Sequence, residues 1–136
     1  MSAIIIDYDI EMKNGSDPST STAVTNLNAD AYSIIMPVTR AFMGEIQLHW
    51  VAGPVGVMKV QVSNDPGAFD DEGVARINEN NIVTNWIIHS QTNIASTDSS
   101  VRYGLSDIGY RWIRLFWDST SGTGNISSFR ASFKGY

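Results

Sequence analysis

An all-β chain is predicted, a single antiparallel β-sandwich or jelly-roll-like domain over residues 1–136. Three observations carry it. Apolar residues alternate with polar ones in run after run. Turn formers space those runs into about seven to nine short strands. No segment keeps a 3.6-residue apolar period over three turns, as a helix packed on a core would.

The first run places Ile4, Ile6, Tyr8, Ile10 and Met12 against Asp7, Asp9, Glu11 and Lys13. Asn14-Gly15 is a strong turn signal, and the Ser/Thr-rich stretch 16–25 reads as a loop. Residues 1–25 therefore form either an arm exchanged between copies or, the preferred alternative, a strand paired within its own chain. Ala31 to Val38 holds a short apolar strand that Pro37 ends or pushes to an edge. From Phe42 to Val51, Ile46, Leu48 and Trp50 point one way and Gln47 and His49 the other. Gly53-Pro54 suggests a turn, and Met58, Val60 and Val62 then alternate with Lys59 and Gln61, so residues 46–62 read as a hairpin.

Ser63 to Gly67 stops that hairpin, and residues 68–81 form a long polar excursion. Ile82 to Ser90 resumes an extended pattern around Trp86, residues 95–100 form a loop, and Val101, Tyr103 and Leu105 mark a short strand. The last quarter reads as a second hairpin, with a Ser/Thr/Gly turn over 118–124. In its first strand Ile113, Leu115 and Trp117 share one face, and Trp112, Arg114 and Phe116 share the other. In its second strand Phe129, Ala131 and Phe133 alternate with Arg130, Ser132 and Lys134. Leu48, Trp50, Val60 and Phe129, with Trp112 or Trp117, are the expected core.

Composition narrows the function. With no cysteine, disulfides, thiolate metal sites and cysteine nucleophiles are excluded. The N-terminal residues lack the basic and long apolar regions of a secretory signal, and no run approaches the ~18 apolar residues of a membrane span. These features read as a soluble protein made in the cytoplasm, without a membrane partner. The net charge of −5 is uneven: residues 1–72 carry ten acidic and three basic side chains, residues 73–136 four and six. An acidic whole disfavours nucleic acid. Arg102, Arg111, Arg114 and Arg130 are candidates for a basic stripe at a subunit interface, against the plainer reading of cross-strand charge pairs.

No catalytic template fits. A nucleophile elbow and a phosphate loop are both missing. His49 and His89 sit on separate predicted strands, too few and too far apart in sequence for a metal centre. Asp65, Asp70, Asp71 and Glu72 cluster without the spacing of a calcium loop. The expectation is no catalytic residue, no metal and no cofactor. Core packing is the default for the aromatics, and at strand ends they could instead stack a sugar or meet a partner, with Trp86, Tyr103 and Tyr110 the candidates.

Three segments together carry a resemblance: Val57 to Asp65, the isolated Trp86, and Tyr110 to Trp117 followed by Ser121-Gly-Thr-Gly124. Over residues 42–136 the chain resembles small β-sandwich virion proteins of tailed bacteriophages, the head-decoration proteins and tail or fibre modules. The resemblance implies a non-enzymatic structural protein that self-associates, with a trimer preferred. It would bind capsid or tail proteins and reside in a virion assembled in the bacterial cytoplasm. Scarce lysine agrees with this, since strand edges lacking lysine guards suit burial by a neighbour. The alternative is a carbohydrate-binding or receptor-binding β-sandwich that takes a host surface glycan.

Overall fold

A computed structural model describes residues 4–9, 12–14, 23–24, 27–65, 83, 85–95 and 97–135. The strands are β1 (Ile4–Asp9), β2 (Met12–Asn14), β3 (Ala23–Val24), β4 (Ala31–Ser33), β5 (Met36–Pro37), β6 (Ala41–Ser63), β7 (Ile87–Ile94), β8 (Ser100–Ser106) and β9 (Trp112–Gly135). Every pairing is antiparallel, and the described residues include no helix. The fold is an all-β sandwich.

β6 and β9 run 23 and 24 residues, far beyond the usual strand of about 3–10. They pair with each other along their whole length, from Ala41 opposite Gly135 to Ser63 opposite Trp112. The two hairpins expected from the sequence are therefore corrected. Neither segment reverses; each bends, and the two make one long ribbon. The turn formers that suggested reversals lie opposite one another, Gly53-Pro54 against Thr123-Gly122. Register slips between His49 and Trp50 and between Val55 and Gly56 bracket the bend. Ala52 and Gly122 hold positive φ there, 67° and 77°. A Cβ on Gly122 would come within 2.2 Å of the Gly53 carbonyl oxygen.

The bend turns one ribbon into two layers. In the first, β8 and β1 flank the half made of Ala41–Val51 and Asn125–Gly135, giving the order β8-β6-β9-β1. In the second, β7 lies against Gly56–Val62, and β4 and β5 lie on the far side of β9, with β2 and β3 beyond β4. β1 thus pairs within its own chain. Between β4 and β5 the Leu115 N–H would lack a strand partner, and the buried Ser33 Oγ accepts it at 2.8 Å.

Inward positions from both layers meet in one core: Ile46, Leu48, Phe129 and Phe133 from the first, Met58, Val60, Leu115 and Trp117 from the second. Leu48, Trp50, Val60, Phe129 and Trp117 are buried as the alternation predicted. Trp112 is buried too, but in a separate small cluster with Ile35 and Val83, against which Trp86 packs. Buried indoles find backbone acceptors: Trp117 Nε1 donates to Leu27 O at 2.9 Å and Trp112 Nε1 to Asp65 O at 2.7 Å.

Candidate functional site

The first layer's outer face is set by its register. On that face Glu45 lies opposite Gly104 on one side and Ser132 on the other, and Ser132 lies opposite Asp7. This row is short in the middle, because Ser132, between Glu45 and Asp7, is small. A row of long side chains stands on one side, Arg102, Gln47 and Arg130, and Met43 and Lys134 stand on the other. Tall rows beside a low one make a trough across the strands. The structure has such a groove, of about 740 Å³. Asp7 and Glu45 close its ends, and its walls are Gln47 and Arg130 facing Met43 and Lys134. Its floor is Ser132 with the backbone of Gly44 and Ala131.

The groove offers acceptors at Asp7 and Glu45, donors at Arg130 and Lys134, and groups able to do either at Gln47 and Ser132. Glu45 is held by two neighbours. Arg102 Nε lies 2.7 Å from Glu45 Oε1, and Gln47 Nε2 donates to the same oxygen at 2.6 Å. These hydrogen bonds, Arg102's first and then Gln47's, hold the Glu45 carboxyl below the usual glutamate range, so it stays ionised at neutral pH.

On the second layer's outer face, side chains stand in a row like books on a shelf. Trp86, Arg114, Tyr32, Phe116 and Lys59 follow one another. The Arg114 guanidinium lies 4.2 Å from the Trp86 ring and 4.6 Å from the Tyr32 ring. Tyr32 and Phe116 stack at 4.4 Å and 9°, as cross-strand partners of β4 and β9. Lys59 Nζ lies 5.4 Å from the Phe116 ring and 3.1 Å from Asp118. Both faces of Tyr32 and of Phe116 are therefore occupied within the row, so neither can stack on a sugar ring.

The candidates read from the sequence scatter. Trp86 lies half-buried in this row. Tyr103 is corrected to a core residue: β8 turns it inward, and its hydroxyl crosses the layers to Met58 O (3.3 Å) and Thr92 Oγ1 (2.9 Å). Tyr110 is half-buried with its ring edge-on to His89 at 5.8 Å, and its buried hydroxyl has no hydrogen-bond partner among the described residues. The arginine stripe is corrected as well. Arg102 and Arg130 flank Gln47 on the first layer, Arg114 belongs to the opposite outer face, and Arg111 lies exposed before β9. Arg114 and Arg130 share a parity on β9, but the bend puts them on the outer faces of opposite layers. His49 and His89 are exposed on different layers. Among the described residues no group of three His, Asp or Glu is placed to hold a metal. Asp70, Asp71 and Glu72 lie outside the described residues.

Sequence reasoning missed the groove. The outward direction of Gln47, Ser132 and Lys134 was legible from alternation. Their adjacency was not, because two local hairpins would have kept β6 and β9 from pairing.

No family model matches the chain, and no curated protein does. The solved structures to which the chain is loosely similar include two modules. The C-terminal CBM6 carbohydrate-binding module of LamC, from Zobellia galactanivorans, aligns over 97% of this chain and 99% of its own, at 9% identity and a TM-score of 0.40. TmCBM61, solved in complex with β-1,4-galactotriose, aligns over 95% of this chain and 86% of its own, at 13% identity and a TM-score of 0.38. Likeness this loose transfers neither a site nor a ligand. The virion role implied by the sequence resemblance has no support from these comparisons.

Proposed function

We propose that this chain is a non-catalytic carbohydrate-binding β-sandwich, with the groove across its first layer as the site. The observation that carries the reading is the groove's lining. It combines ionised acceptors, cationic donors and two groups of dual character around an opening of about 740 Å³, within the range of small-ligand sites. A sugar presents hydroxyls that both donate and accept, and such a lining meets both. Met43, 41% exposed, gives the C–H face of a pyranose an apolar contact on one wall.

Glycan-array binding of the purified protein, compared with the Ser132→Trp variant, tests this. Position 132 is exposed on a strand, where an aromatic is well tolerated, so the variant keeps its fold while filling the trough. Binding that is lost in the variant supports the reading, and the absence of any glycan bound by the wild type removes it.

Self-association in a virion-like particle is the second reading, favoured by β7. This strand carries no Lys, Arg, Asp, Glu or Pro, pairs only with β6 among the described residues, and exposes Ile87 (68%) and Ile88 (47%). An edge of that kind is an opening for a strand from another copy. Sedimentation equilibrium distinguishes the readings: a defined oligomer, a trimer in the preferred form, supports assembly, and a monomer at all concentrations opposes it.

A further inference from the structure

The second layer's outer face holds a cation that no described carboxylate neutralises. Arg114 is half-buried, and no carboxylate among the described residues pairs with it. The carboxylate of the same row, Asp118, is engaged by Lys59 at 3.1 Å. Burial lowers the Arg114 pKa to about 10, so the group is charged at neutral pH in a place that penalises charge. One donor is used, Nε to Gln61 Oε1 at 2.7 Å. The faces of the guanidinium are covered by Trp86 and Tyr32. Among the described residues, none is recorded bonding to its remaining edge, the two terminal nitrogens.

That edge is preorganised. Two rings fix the plane of the guanidinium, and Gln61 fixes its rotation within that plane. Trp86 is held in turn by the small cluster of Ile35, Val83 and Trp112, and its indole N–H donates to Val83 O at 3.1 Å. A planar fork held this way loses little freedom on taking a second pair of hydrogen bonds. Its match is an oxyanion with two oxygens side by side, the chemistry of a carboxylate or a sulfate ester.

We propose that Arg114 anchors an oxyanion site on the second layer, taking the carboxylate or sulfate group of an acidic sugar through its terminal nitrogens. Tyr32 and Trp86 act as positioning residues, keeping the fork in plane rather than stacking on the ligand. The site lies on the opposite outer face from the groove and does not depend on the groove being filled.

Nuclear magnetic resonance titration of the whole chain tests it, with glucuronate, glucose 6-sulfate and neutral glucose as probes. The Arg114 Nε–H and the Trp86 indole N–H report this site, and the Gln47 side-chain amide and the Ser132 backbone amide report the groove. Expected are saturable shifts of the Arg114 and Trp86 signals with glucuronate or glucose 6-sulfate and none with glucose. Whichever acid binds tighter names the group the site takes. Arg114→Lys keeps a charge but loses the fork, and should weaken binding about tenfold or more. The wild-type titration is decisive even if that variant folds poorly. No saturable shift of Arg114 with either acid, equal shifts with glucose, or undiminished binding by a folded Arg114→Lys would overturn the proposal. Shifts confined to Gln47 and Ser132 would also overturn it, while leaving the groove reading intact.

Discussion

Single residues carry the join between the layers. Trp117 is fully buried where the two inner faces meet, and its indole satisfies the Leu27 carbonyl at 2.9 Å. Replacing it with alanine opens a cavity and leaves that carbonyl only the longer bond from Ser119 Oγ at 3.5 Å. Trp117→Ala should cost about 3–5 kcal/mol, read as a lower denaturant midpoint without a change in slope. Tyr103 shows a different economy. Its ring fills the core from β8 while its hydroxyl reaches the second layer at Met58 and Thr92. Burial pushes its phenol pKa up, against the opposing hydrogen bond with Thr92, so it stays neutral through the physiological range. Alternation puts Tyr103 on the apolar side of its strand with Val101 and Leu105, but leaves a sugar or partner contact open. Inside and outside differ only by register, and Tyr103 shares its side of β8 with Leu105, which is also buried.

At the scale of elements, the decisive feature is the bent ribbon of β6 and β9. Its composition was legible and its geometry was not. Gly53-Pro54 and Ser121 to Gly124 were rightly seen as breaks in regular extension. A local reading assigns each break to a tight turn, because a two-residue reversal is the commonest use of such residues. Here each break faces the other across the ribbon, so both are spent on bending. Gly124 shows the fit: a Cβ there would lie 2.7 Å from Pro54 Cδ. The alternation itself survived, which is why the core was foreseen at Leu48, Trp50, Val60, Trp117 and Phe129 while strand partners were not. Ala52 is the strained point of the bend, a left-handed residue with a Cβ, exposed and at φ 67°. Ala52→Gly should stabilise the protein by about 0.5–1 kcal/mol, since relief of left-handed strain outweighs the added freedom of the unfolded chain. A thermal melt checks this, and a lower melting temperature would show that the bend does not strain the backbone at that position.

At the scale of the whole molecule, bending the ribbon creates two outer faces of different chemistry. The first layer presents a polar trough, low at Ser132 between Glu45 and Asp7 and tall on either side. The second presents a row of rings and cations whose faces are mutually covered. An aromatic count alone would have placed a sugar on the second face. On the proposed reading the sugar lies on the first face, since Tyr32 and Phe116 are already covered on both sides and the trough presents polar side chains suited to hydroxyls. The candidate site was therefore only partly legible: Trp86 and Arg114 were singled out, but their shared row required knowing that the segment before β7 reaches β9. Arg102 and Arg130 were singled out as one stripe with Arg114, which the two-layer arrangement separates.

The central claim is that the groove between Gln47–Arg130 and Met43–Lys134 takes a carbohydrate. The most direct measurement is isothermal titration of the wild type and of Ser132→Trp with the oligosaccharide that binds best on the array. Expected are a saturable one-to-one heat for the wild type and none for the variant, with both proteins melting within a few degrees of each other. Undiminished binding by a folded Ser132→Trp would contradict it, because the ligand would then sit somewhere other than the groove.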